Sequence, residues 1–149
     1  MARRLSVEER EEFLAHPRVG ILSVTAEPGR APLTTPIWYD YRPGGDLVIL
    51  TSPGLRKTRL IEAAGRFAIC VQDEGTPYAY VSVEGPVVDT RPVTREQRLA
   101  MAERYTGVEY GARYVEHTEE TQSGNVAITM RPERWNTASF DDVVTALTG

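Results

Sequence analysis

Lys57 is the only lysine among the 17 basic side chains of this chain, and it sits in the run Ser52-Pro53-Gly54-Leu55-Arg56-Lys57-Thr58-Arg59, where a strand should hand over to a helix. An ammonium on a flexible stem settles against a single phosphate oxygen, whereas a guanidinium presents a planar fork. A corner that keeps lysine in an arginine-biased chain therefore reads as an anion site. Ser52 is placed to cap the helix and Pro53 to start it, which would turn free backbone N–H groups and the positive helix end toward the same anion. Arg56 and Arg59 bring two more charges to the turn. The plain alternative is a solvated cationic face. On an earlier strand, Thr34 and Thr35 offer hydroxyl or backbone groups to the polar edge of a planar ring, and Trp38 or Tyr39 would cover its apolar surface. For Trp38, Tyr39 and Trp135 ordinary core packing is the competing expectation. Together these residues suit a flat, phosphorylated ligand.

Other chemistry finds little support. Arg56 stands where a nucleotide-binding phosphate loop needs glycine before its lysine, so Lys57-Thr58 is not that motif. His16 and His117 lack the paired spacing of a metal site, and the single cysteine, Cys70, lies in the apolar run Phe67-Ala68-Ile69-Cys70-Val71, which excludes an intrachain disulfide and a cysteine-rich zinc site. Ser23, Ser82 and Ser139 have no glycine-flanked nucleophile elbow. Of the carboxylates considered as a general base, Asp46, Asp73 and Glu74 fall at expected turns, and only Asp40 lies within a strand. A net charge of −4 argues against a nucleic-acid partner. No apolar stretch reaches the roughly 20 residues of a membrane span, and Glu8-Glu9 interrupts any signal-peptide pattern, so a cytoplasmic location is expected.

The elements that must position these residues are mostly strands. Ser6-Val7-Glu8-Glu9 has capping-box spacing and predicts a short helix toward Leu14. Strands are expected over Val19 to Thr25, Ala31 to Tyr41 and Asp46 to Thr51, with turns at Glu27-Pro28-Gly29-Arg30 and Pro43-Gly44-Gly45. Pro36 marks an edge or bulge in the second of them. A helix from Pro53 to Ala64 stops at Gly65, a buried strand runs from Arg66 to Gln72, and a long strand from Tyr78 to about Val88 bends at Gly85-Pro86. Thr94-Arg95-Glu96-Gln97 opens a helix that places Leu99, Ala102 and Tyr105 on one side and ends at Gly107. Val108 to Gly124 is acidic and reads as loop, with one helical turn at most. Asn125 to Pro132 is a further strand, Arg134 to Phe140 continues it, and a short helix follows Asp141. A length of 149 residues fits one domain, and this pattern points to a mostly β fold, an antiparallel barrel or curved sheet with peripheral helices.

The order of these segments resembles the pyridoxamine 5′-phosphate oxidase-like split β-barrel family, whose members include FMN-binding proteins and enzymes of the deazaflavin coenzyme F420. The residues that carry the likeness are Pro28-Gly29-Arg30-Ala31-Pro32, Thr35-Pro36-Ile37-Trp38-Tyr39, the Arg56-Lys57-Thr58-Arg59 turn, Tyr80 to Val87, Arg131-Pro132 and Trp135. The resemblance implies a homodimer with FMN or F420 between the subunits. Arg56 and Lys57 would hold the phosphate, Thr35, Pro36 and Ile37 would lie beside the ring, and Thr51 and Ser52 would lie near the linker or phosphate. It also implies hydride transfer to or from a small substrate, with the protein orienting the reactants and excluding water. A non-catalytic carrier or sensor of the same cofactor fits equally. Three clustered cations tilt the choice toward F420 with its polyanionic tail. Two departures stand out: the segment Asn136 to Phe140 lacks the arginine- and histidine-bearing motif that serves pyridoxamine phosphate oxidation, and Leu60 replaces an asparagine common in deazaflavin relatives.

Overall fold

The computed structural model describes residues 2–149. Eight strands form one sheet in which every pairing is antiparallel: β1 (Gly20–Val24), β2 (Leu33–Ile37), β3 (Tyr39–Tyr41), β4 (Leu47–Thr51), β5 (Arg66–Asp73), β6 (Ala79–Pro92), β7 (Val126–Met130) and β8 (Arg134–Ser139). Strand order is β2-β1-β5-β6-β7-β4-β3, with β8 also on β6. The two ends of this path, β2 and β3, are separated in the chain by Trp38 alone. The sheet must therefore curl until its ends lie together, and the result is a curled half-barrel with helices outside it, the expected split barrel.

Period-two burial drives the curl. Phe67, Ile69 and Val71 of β5 face Val81 and Val83 of β6 and Leu22 and Val24 of β1 within one buried cluster. Helix α1 (Val7–Ala15), opened by the Ser6/Glu9 capping box, plugs one side with Leu14, and α2 (Arg56–Ala64) adds Leu60 and Ile61. Gly65 ends α2 at φ 71°, a left-handed turn for which glycine carries no steric cost. β6 changes partners along its 14 residues: through Glu84 it lies between β5 and β8, and from Val87 onward it pairs with β7. The bend falls where a Cβ on Gly85 would stand 1.8 Å from the Arg131 carbonyl oxygen, so only glycine lets the two strands pass.

Four features depart from the sequence reading. The second strand breaks at Trp38 into β2 and β3. Helix α2 starts at Arg56 with Leu55 as its N-cap, because the Ser52 carbonyl accepts from the Leu55 N–H at 3.3 Å and the Thr58 hydroxyl at 2.6 Å; Ser52-Pro53-Gly54 is thus a turn before the helix. Strand β5 is buried on one face only. The segment expected as loop is helical: α3 (Arg95–Thr106) is followed by α4 (Val108–His117) and α5 (Glu119–Gln122). Gly111 lets α4 approach α3 so closely that an added Cβ would lie 3.0 Å from the Glu103 backbone. Packing on α3 supplies what the local pattern lacked. After β8, α6 (Asp141–Thr148) closes the chain. No helix among the described residues is long and apolar enough to cross a membrane.

The Arg3 guanidinium staples the first segment to the last helix, donating to Asp141 at 2.7 to 3.1 Å and to Glu9 at 2.8 and 3.0 Å. These bonds hold the Glu9 carboxyl down to about 2 and lower that of Asp141. Depressed carboxyls contribute stability above their unfolded pKa and lose it as pH falls through the folded one. Arg3→Ala should therefore lower Tm at neutral pH, and the gap from the parent protein should close as pH drops from 4.5 toward 2. A gap independent of pH would contradict this. Gly85→Ala should cost at or above the upper end of about 1–3 kcal/mol, read from the urea midpoint.

Candidate functional site

The break at Trp38 makes the site. A chain leaving one strand and entering another exposes an N–H and a carbonyl that no ladder can satisfy, and buried backbone groups need partners. Tyr105 of α3 supplies them. Its hydroxyl accepts from the Tyr39 N–H at 3.1 Å and lies 2.8 Å from the Arg18 carbonyl and 3.0 Å from that of Tyr39, to one of which its proton goes. The Tyr105 ring stacks on Trp38 with centroids 4.8 Å apart and planes 7° from parallel, while Tyr114 of α4 meets the indole at 5.5 Å and 42°. Burial raises the Tyr105 phenol above its ordinary value and pushes Tyr39 up to about 12, so neither ionises near neutrality. Tyr39 is fully buried core, with its hydroxyl donating to the Leu14 carbonyl at 2.6 Å. Trp135 packs elsewhere, under the Arg10 guanidinium at 4.5 Å.

Beside Trp38 opens a cavity of about 290 Å³. One wall is Pro36, Ile37, Trp38, Leu50 and Lys57; the other is Arg98 and Met101 of α3, Tyr114 of α4, and Gln122 and Asn125 at the end of the helical segment. Four of the residues singled out in the sequence, Pro36, Ile37, Trp38 and Lys57, are thus brought together. The Lys57 ammonium makes no hydrogen bond or ion pair among the described residues. Its neighbours are engaged. Arg56 donates to Glu27 at 3.0 and 2.7 Å and holds that carboxyl down to about 2, while Arg59 donates to the Gly54 carbonyl at 2.7 Å.

The hydroxyls near the corner are also committed. Thr58 gives its proton to the Ser52 carbonyl, so across the buried 3.0 Å contact Thr51 is the donor and Thr58 the acceptor. This chain fixes the turn ahead of α2 and leaves Thr51 and Thr58 structural. The N-cap Leu55 offers no side-chain acceptor, so the first-turn N–H groups of α2 remain open to an external one. Thr34 and Thr35 lie on β2, the terminal strand of the path, outside the cavity wall. Terminal placement also accounts for Pro36, which needs no second ladder partner.

Sequence reasoning missed the far wall altogether. A faint signal was present: in the 108–117 segment Val108, Gly111 and Val115 recur at helical spacing, and Tyr114 sits one turn beyond Tyr110. Chemically, the lining is apolar and aromatic with two cations and two amides, and none of its described residues is acidic or a paired nucleophile. Such a cavity can bind, orient and dry a ligand, so redox chemistry there would come from a bound group.

The pyridoxamine 5′-phosphate oxidase family model matches residues 6–139, and the chain belongs to that family. Among solved structures, a conserved hypothetical protein of Mycobacterium tuberculosis superposes with a TM-score of 0.74 at 20% identity, over 94% of this chain and 88% of the other. An FAD-binding protein of Mesorhizobium loti gives 0.66 at 22% identity, over 93% and 96%. A protein described as an F420 reductase gives 0.61 at 24%, over 85% and 94%. No curated protein matches the chain in sequence.

Tyr105→Phe keeps the stack on Trp38 but leaves the Tyr39 N–H without an acceptor. It should cost about 1–3 kcal/mol in chemical denaturation, the penalty for an orphaned buried donor. A neutral substitution would show that water takes over the bond.

Proposed function

We propose that this protein is an oxidoreductase that binds a flavin-type cofactor, FMN or coenzyme F420, and handles a small substrate beside it. The observation that carries the reading is the Lys57 ammonium, unpaired among the described residues, at the edge of an apolar, aromatic cavity and next to an uncapped helix start. In the proposal, Lys57 and the first-turn N–H groups of α2 hold the cofactor's phosphate, and Pro36, Ile37 and Trp38 bear on its ring. The residues fit such a group: a cation with no partner among the described residues, open N–H groups and an apolar wall are what its phosphate and ring require. When bound, the cofactor supplies hydride transfer. The chain's own work is to position the ring, exclude water and leave room for the reactant. Membership of the family and the likeness to an F420 reductase and an FAD-binding protein support the reading.

The two cofactors differ chiefly in their tails. Arg56 and Arg59 are engaged within the chain, so the cation count that favoured F420 falls to Lys57 at this corner and matches a single phosphate. A cavity of about 290 Å³ lies at the small end of ligand sites, which start at ~300 Å³, so a whole cofactor would extend beyond it. A second copy of the chain would supply the missing wall. Across β1, β5, β6 and β8 the paired residues Ile21, Cys70, Ser82 and Asn136 form a row of half-buried or exposed side chains, and the small ones at its centre favour close approach of another sheet.

Side-by-side titration of the purified protein with FMN and F420, followed by fluorescence, tests the function. Saturable binding of one of them is expected, and binding of neither would end the proposal. Lys57→Ala should weaken that binding by about 1.5–3 kcal/mol in calorimetry without changing Tm, and Arg56→Ala should weaken it less. Turnover with the reduced cofactor and a panel of unsaturated acceptors separates an enzyme from a carrier.

A further inference from the structure

Two side-chain amides on the helical wall of the cavity are not used by the cofactor reading. Gln122 ends α5 and Asn125 precedes β7, and the Asn125 N–H donates to the Gln122 carbonyl at 3.1 Å, closing an i→i+3 turn. The ends of such a turn lie side by side. Asn125 is held from its other edge as well: its carbonyl accepts from the Val93 N–H at 3.0 Å, and the next residue, Val126, pairs with Thr51 and Pro92. Gln122 and Asn125 both line the cavity, so the turn presents a pair of carboxamides to it from a fixed backbone.

The hydrogen bonds of the pair define what it offers a ligand. Gln122 donates from Nε2 to the Tyr114 hydroxyl at 3.1 Å, which orients its amide and leaves Oε1 without a donor among the described residues. The Asn125 amide makes no hydrogen bond among those residues, and neither group is sealed from solvent. One acceptor and one amide donor therefore stand open on the same stretch of wall. Charge does not compete with them. Arg98 offers a ligand no donor, because its Nη groups are bonded to Val115, Thr118 and Glu119 and its Nε is buried, and none of the described lining residues is a carboxylate. Water can serve such amides, but a ligand that brings a matched donor and acceptor into a small, largely apolar cavity replaces it with bonds of fixed direction.

We infer that the Gln122–Asn125 pair recognises the cis-amide edge of an uncharged ring, a lactam or an imide. The ring N–H donates to Gln122 Oε1, the ring carbonyl accepts from the Asn125 amide, and the carbon body lies against Met101 and Ala102 of the same lining. A substrate can bring that edge, and so can the cofactor itself, since flavin and deazaflavin rings end in an imide. Thr34 and Thr35, expected to meet the polar edge of a ring, lie outside the cavity wall, whereas the amide pair lies on it. The inference rests on the flavin-type reading above only where the cofactor is the source.

δ-Valerolactam and N-methyl-δ-valerolactam, which lacks the N–H, are matched probes, titrated into isotope-labelled protein while NMR follows the side-chain amide signals of Gln122 and Asn125. The lactam should shift both signals saturably and bind about threefold to tenfold more tightly than its N-methyl form, the worth of one hydrogen bond. Asn125→Leu should cost about the same factor and keep the parent Tm, because the native amide holds nothing else in place. Equal binding of the two probes, saturation without movement of the amide signals, or no saturable binding of the lactam would overturn the inference while leaving the cofactor titration intact. Continued binding of the lactam with FMN or F420 in place assigns the edge to the substrate. If the cofactor excludes the lactam, lumiflavin or its deaza analogue should bind the parent more tightly than the same ring methylated at its imide nitrogen, and Asn125→Leu should erase the difference. That result assigns the edge to the cofactor's ring, and exclusion without it would overturn the inference. Lactam binding by a protein that takes up neither cofactor would instead refute the oxidoreductase reading alone.

Discussion

One hydroxyl group holds the site in being. The sheet can close on itself only if the chain steps from β2 to β3 at Trp38, and that step strands backbone groups in a dry place. Tyr105 satisfies them, and in doing so it fixes α3 against the mouth of the curl. Trp38 is then clamped by the same tyrosine ring, so the residue that interrupts the strand becomes a rigid wall of the cavity. Removing the contact would disturb closure of the sheet, docking of the helix and shape of the cavity together.

Charge is allocated with similar economy. Arginines carry the structural ion pairs, Arg3 with Glu9 and Asp141, Arg56 with Glu27 and Arg98 with Glu119, and Arg104 donates a hydrogen bond to the Ala15 carbonyl. A planar fork with fixed donors suits such permanent bonds. The lone lysine is left without a partner among the described residues, at the rim of the cavity. Its rarity in the chain thus has a physical counterpart in the fold.

Much of the frame was legible because its determinants are local. The capping boxes at Ser6 and Thr94 and the left-handed glycine at Gly65 act within a few residues, and each marks the expected helix end. The family likeness read from scattered segments agrees with the family match over residues 6–139. What escaped notice depends on distant contacts. The start of α2 moved because Thr58 reaches back to the Ser52 carbonyl, and α4 forms because Gly111 seats on Glu103 and Arg98 ties down its end. Tyr114 and Gln122 of the lining were hidden in the 108–124 segment, and Arg98 and Met101 lie on a helix whose start and end were legible but whose cavity-facing residues were not, whereas Pro36, Ile37, Trp38 and Lys57 were visible as residue types.

The long strand β6 has a further consequence for how the molecule comes apart. Its first half is hydrogen-bonded on both edges, to β5 and β8, and its second half carries β7, which in turn carries β4 and β3. The half of the sheet that holds β5, β1 and β2 cannot part from the half that holds β7, β4 and β3 without breaking a ladder on this strand. Amide protons in the doubly paired first half of β6 should then be among the slowest to exchange, and the two halves should share one cooperative transition instead of melting in succession.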